Sequence, residues 1–133
     1  AVGCLAATVS AKTALEQSAE AAIAALEDAE ADGGEAVICD IDVGSELELA
    51  GYRPLLDTRA ELYCPELNGG TDAWGAARAM LAGDTEAIEG TGADFAVVPS
   101  GAYPALEDSL SGLGFSLVHD DGTFEVYARK AAP

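Results

Sequence analysis

Asp57, Arg59, Glu61 and Tyr63 form the densest cluster of chemically capable side chains in the sequence. In an extended chain Asp57, Arg59 and Glu61 point the same way. An arginine between two carboxylates makes charge-assisted hydrogen bonds that pin a loop. A salt-bridge knot at a strand end accounts for this cluster more simply than a ligand site does. The second constellation is Asp40-Ile41-Asp42, directly after an apolar run. Two carboxylates so spaced can attack phosphorus and protonate the leaving group, with Mg²⁺ neutralising both.

The Asp40/Asp42 pair resembles the nucleophile-and-acid pair of haloacid-dehalogenase-type phosphatases, but two features depart from that pattern. Val43-Gly44-Ser45 follows where the family continues with Thr or Val and a small apolar residue. The family also takes a phosphate-holding Lys or Arg from mid-chain, whereas the lysines here are Lys12 and Lys130. His119-Asp120-Asp121 imitates the family's late acidic pair, yet reads better as the start of a hairpin turn.

The remaining signals are weaker. Gly90-Thr91-Gly92 precedes a strand instead of following one and lacks the third glycine of a dinucleotide loop. Ser100-Gly101 is not a nucleophile elbow. His119 beside two aspartates is read as structural or incidental. Cys4, Cys39 and Cys64 contain no CxxC, and a zinc site needs about four ligands. Cys39 reads as a small core hydrophobe, and pairing of Cys4 or Cys64 cannot be deduced from spacing. No cofactor and no metal are expected. With 24 acidic against 6 basic residues, the formal charge is −18, a field that repels phosphate backbones and excludes nucleic acid as a partner.

The elements that would position these residues alternate. A helix is expected from Lys12 to Asp32, with Leu15, Ala19, Ala22, Ile23 and Leu26 on one stripe and Gly33-Gly34 ending it. Ala36–Cys39 reads as a doubly buried strand and 42–50 as a short helix. A strand over 52–57 belongs at a sheet edge or strand start because of Pro54. Helices are expected over 71–83, 84–90 and 103–113, and a buried strand over 95–98. Phe115–His119 and Thr123–Tyr127 form a hairpin around Asp121-Gly122, a type I′ signal. The expected fold is α/β, three-layered and Rossmann-like. It has a mostly parallel sheet of about five strands, a C-terminal hairpin at one edge and a long N-terminal helix. The chain is read as one domain, with a helix over 1–34 and a core over 36–129.

The block Gly51-Tyr52-Arg53, then Leu56-Asp57-Thr58-Arg59-Ala60-Glu61-Leu62-Tyr63, resembles the soluble C-terminal domain of polytopic membrane proteins of the dolichyl-phosphate-mannose and lipid-linked glycosyltransferase type. Ala93–Pro99, Gly114-Phe115 and the run from His119-Asp120-Asp121-Gly122 to Val126-Tyr127-Ala128-Arg129 extend the likeness over roughly residues 36–129. Thr58 stands where that family usually has glycine, and Phe115 where it has Trp.

The resemblance implies a non-catalytic accessory domain on the extracytoplasmic side of the cell membrane. Its partners would be the transmembrane portion of the same protein and a glycan or lipid-linked sugar. The family's catalytic acids lie among membrane helices, so none transfers to this chain. The uncharged start AVGCLAATVSA suits a helix continuing from the last transmembrane span, and equally an ordinary packed helix start. The alternatives are a small-ligand module at the carboxyl ends of the strands near Asp40, Asp57 and Ser100, or the Mg²⁺ phosphatase.

Overall fold

The computed structural model describes residues 13–55 and 73–129, with the side chains of residues 41, 42, 73 and 74 left aside. Asp57, Arg59, Glu61 and Tyr63, like Cys4 and Cys64, lie outside the described residues. The elements run α1 (Ala14–Asp28), β1 (Ala36–Cys39), α2 (Ile41–Leu49), β2 (Arg53–Pro54), α3 (Ala73–Leu81) and α4 (Thr85–Gly90). They continue with β3 (Phe95–Pro99), α5 (Pro104–Gly112), β4 (Phe115–Asp120) and β5 (Phe124–Arg129).

One open five-stranded sheet has the order β2-β1-β3-β5-β4. β1 pairs in parallel with β2 and β3, while β5 pairs antiparallel with both β3 and β4. The sheet is therefore mixed, not mostly parallel. The reason is that both hairpin strands join it, with β5 inserted between β3 and β4. Pro54 does sit in an edge strand, and β2 is only two residues long.

Strand alternation sorts the core into two layers. Val37, Cys39, Phe95, Val97, Phe124 and Val126 pack with α1 and α2. Ile38, Ala96, Val98 and Tyr127 pack on the opposite face with Ile88 of α4 and Leu106 and Leu110 of α5. α3 serves both, Ala77 on the first face and Met80 on the second. Cys39 is buried in the first of these layers, as a small core hydrophobe would be.

The N-terminal helix is shorter than the pattern over Lys12–Asp32 predicts: fifteen residues, Ala14–Asp28. Thr13 starts it with a reciprocal capping box to Glu16. It stops before the two glycines because Glu30 itself adopts the left-handed conformation, φ 65°. The Glu30 N–H then donates to Glu27 O and the Ala31 N–H to Leu26 O, the Schellman pattern. No helix among the described residues is long and apolar enough to cross a membrane.

The hairpin turn also differs from the type I′ expectation. That turn needs positive φ at both central residues, and only Gly122 has it. Asp121 takes over the turn, its Oδ1 accepting the N–H groups of Thr123 and Phe124 at 2.9 Å each.

Candidate functional site

The strongest concentration of polar side chains among the described residues lies at the carboxyl ends of β1 and β3. β1 leads through α2 to one neighbour, β2; β3, on its other side, follows α3 and α4. Crevices at such divergences are where open α/β sheets take ligands. Asp40 directly follows β1 and is only 5% exposed. A buried carboxylate needs hydrogen-bond donors, and the Tyr103 hydroxyl donates to Asp40 Oδ2 at 3.2 Å. Tyr103 can do so because Pro104 begins α5 immediately after it, pre-set for the first helical turn.

The strand register brings a second acid to the same level. Cys39 pairs with Val97, and Val98 with Glu125, so Asp40, Val98 and Glu125 occupy adjacent positions on β1, β3 and β5. Glu125 is 9% exposed, and the Tyr127 hydroxyl donates to its Oε2 at 3.2 Å. Glu107, one helical turn after Tyr103, reaches the same place from α5. Burial pushes the Glu125 carboxyl up to about 7, and the hydrogen bond and charge of Glu107 add to the shift. Glu107 Oε1 is buried and finds no N–H or O–H donor among the described residues unless the Glu125 proton supplies one. Of the two, Glu125 is the carboxyl pushed toward its protonated form. The Tyr127 phenol is pushed upward, by burial first and then by the charge of Glu125.

The rim closes with Ser100, whose hydroxyl donates to Asp120 Oδ1 at 2.9 Å, an oxygen that also accepts the Gly122 N–H. Its backbone N–H bonds Thr123 O. Ser100 is therefore a clamp between the end of β3 and the hairpin, not an activated nucleophile. The Asp121 carboxyl is held below its usual range by the N–H of Phe124 above all. His119 Nε2 lies 3.8 Å from Asp121 Oδ2, within ion-pair range but beyond a hydrogen bond. Among the described residues no group of three or more His, Cys, Asp and Glu side chains could hold a metal ion.

Of the residues singled out from sequence, Asp40 and Ser100 meet at this rim, while the Asp57–Tyr63 cluster and the Asp42 side chain fall outside the described residues. Sequence reasoning missed Tyr103, Glu107, Glu125 and Tyr127. Glu125 occupies the polar beat of an alternating strand and reads as solvent-facing. Only the insertion of β5 between two strands, with α5 over it, buries that face. The four-residue step from Tyr103 to Glu107 was the available signal, since it places both on one helix face.

Comparison with protein families, curated proteins and solved structures finds no match for this chain.

Proposed function

We propose that the chain is a non-catalytic accessory and recognition domain of a larger membrane-embedded, glycosyltransferase-like protein, carried on the extracytoplasmic side. The finer placement as a Rossmann-like unit belongs to the same proposal. The observation that carries the non-catalytic part is the mutual satisfaction of the rim. Asp40 is held by Tyr103 and Ser100 by Asp120, which lock elements together, and Glu125 is held by Tyr127 within β5. A nucleophile or general base must instead reach a reacting atom. The membrane part rests on the likeness of residues 51–63 and of the terminal hairpin to the transferase tail domains.

Protease accessibility of the chain in intact cells tests the placement. Cleavage from outside is expected, and cleavage only after permeabilisation overturns the extracytoplasmic reading. Purified chain is expected to leave phosphate monoesters and sugar phosphates unchanged in Mg²⁺. Turnover abolished by Asp40→Asn would replace this reading with the phosphatase. A small-ligand module remains the second reading, favoured by the position of Asp40, Ser100 and Tyr103 at the divergence of the strands. Its signature is a sugar or nucleotide whose binding shifts Tyr103 resonances and is lost in Tyr103→Phe.

A further inference from the structure

We propose that the edge strand β4, with the groove between it and α1, is a docking surface for an extended segment of a partner protein, apolar at its centre and basic at one end. The inference stands whether or not the chain belongs to a membrane protein. Among the described residues β4 has β5 on one side and no strand on the other, which leaves its outer row of backbone N–H and C=O groups open to strand addition. The opposite edge is guarded differently: β2 has two residues and one of them is proline. β4 has neither defence. It has no proline and no lysine, and its middle residues Leu117 and Val118 are 51% and 48% exposed. The register shift between Leu117 and His119 is its observed irregularity.

The groove supplies the chemistry of the occupant. Ala25 of α1 and Ala29, its C-cap, face Val118 across an open channel, which continues past Val118 to the amino ends of β1 and β3. There Glu30, Asp32, Glu35 and Asp94 line it. The guanidinium beside them, Arg129, is already engaged by Asp94 and Glu89. Among the described residues, Glu30, Asp32 and Glu35 are paired with no cation. An apolar floor leading to uncompensated carboxylates selects a segment whose apolar side chains end in Lys or Arg. A second copy is disfavoured because two chains of charge −18 repel.

The test uses the folded chain and a labelled peptide of alternating Lys and Val, with Glu-Val and Lys-Ser peptides as controls. The Lys-Val peptide is expected to bind, to slow amide exchange over Phe115–Asp120, and to weaken as salt rises. Val118→Lys, at an exposed site, is expected to keep the melting temperature and lower affinity about tenfold. Four results overturn the proposal. One is absence of Lys-Val binding, and another is binding without protection of β4 or unaffected by Val118→Lys. Equal binding of Lys-Ser, a plain charge effect, is the third. The fourth is self-association of the chain that Val118→Lys abolishes, which would make a second copy the occupant.

Discussion

The carboxyl-end rim of the sheet and the groove along β4 are both acidic, yet they handle charge in opposite ways. At the rim, Asp40 and Glu125 are buried and each acid is met by a hydroxyl, Asp40 by Tyr103 across elements and Glu125 by Tyr127 of its own strand. One carboxyl there avoids charge by holding its proton near neutral pH. At the groove, Glu30 and Asp32 stay in solvent and Glu35 is half-buried, its carboxylate taking the Asp32 N–H at 2.7 Å, and none of the three has a cation partner among the described residues. A buried acid must be satisfied within the fold, whereas an exposed one can wait for a partner from outside. Net charge alone therefore does not say where a strongly acidic chain binds anything. The distribution of satisfied and unsatisfied carboxylates is more informative.

The largest disturbance of the rim is expected from a residue that touches none of its acids. Gly83 follows α3 with φ 89°, and a Cβ there would lie 2.5 Å from the carbonyl oxygen of Ala105 in α5. Its own carbonyl accepts the Ser109 hydroxyl at 2.6 Å. Gly83→Ala combines left-handed strain with a clash against helix backbone, together about 3–4 kcal/mol. Because α5 carries Tyr103 and Glu107, the rim should loosen while the β4 groove keeps its shape. Urea unfolding measures the loss, and an unchanged midpoint would show that α3 and α5 are not in this close contact.

The next effect separates the two regions by pH. Folded Glu125, at about 7, holds its proton more tightly than a free glutamate at 4.5. The stability it contributes is complete below about pH 4.5 and is lost as pH rises through about 7. Glu125→Gln keeps a neutral hydrogen-bonding side chain and removes that titration. The variant should be the more stable of the two at pH 8 and show little difference at pH 4. Asp121, with its lowered value, contributes with the opposite sign, losing stability as pH falls, and is common to both proteins. Equal pH slopes for the two proteins would remove the raised Glu125 carboxyl. Tyr103→Phe is milder. It deletes one donor to a carboxylate and should cost roughly 1.5–3 kcal/mol in urea unfolding. A neutral result would make Asp40 independent of α5.

How much of this was legible depended on whether a residue's surroundings are local. The N-terminal helix, the helix after Asp84 and Pro54 at an edge follow from chain neighbours, and each formed, the first shorter than its pattern. The parallel bias was misread because Phe124 to Arg129 looks like any hairpin strand. Nothing in its sequence says that it enters the sheet interior. Glu125 was invisible for the same reason, since its burial comes from β3, β4 and α5 together. Asp40 stood out for its spacing to Asp42, yet the contact that defines it reaches across to Tyr103, sixty-three residues along the chain.

The smallest expected effect lies at the groove, where local sequence and local geometry disagree. Gly33-Gly34 reads as the natural end of α1, but the chain turns earlier, with Glu30 in the left-handed region. A non-glycine residue there costs about 1–2 kcal/mol of backbone strain. The Schellman bonds from Glu30 and Ala31 tolerate any side chain, since they use backbone alone. Glu30→Gly should therefore raise stability by roughly 1 kcal/mol, less whatever the freer unfolded chain takes back. It also removes one of the uncompensated carboxylates of the groove. The same substitution should strengthen the fold while weakening capture of the Lys-Val peptide, and most of the weakening should vanish at high salt. No exchange at the rim accessible to a single substitution has this signature, because there each acid is part of the fold's own hydrogen bonding. A variant that loses stability instead would mean that the Glu30 side chain holds the turn, and the contrast between a self-satisfied rim and an open groove would fail at that residue.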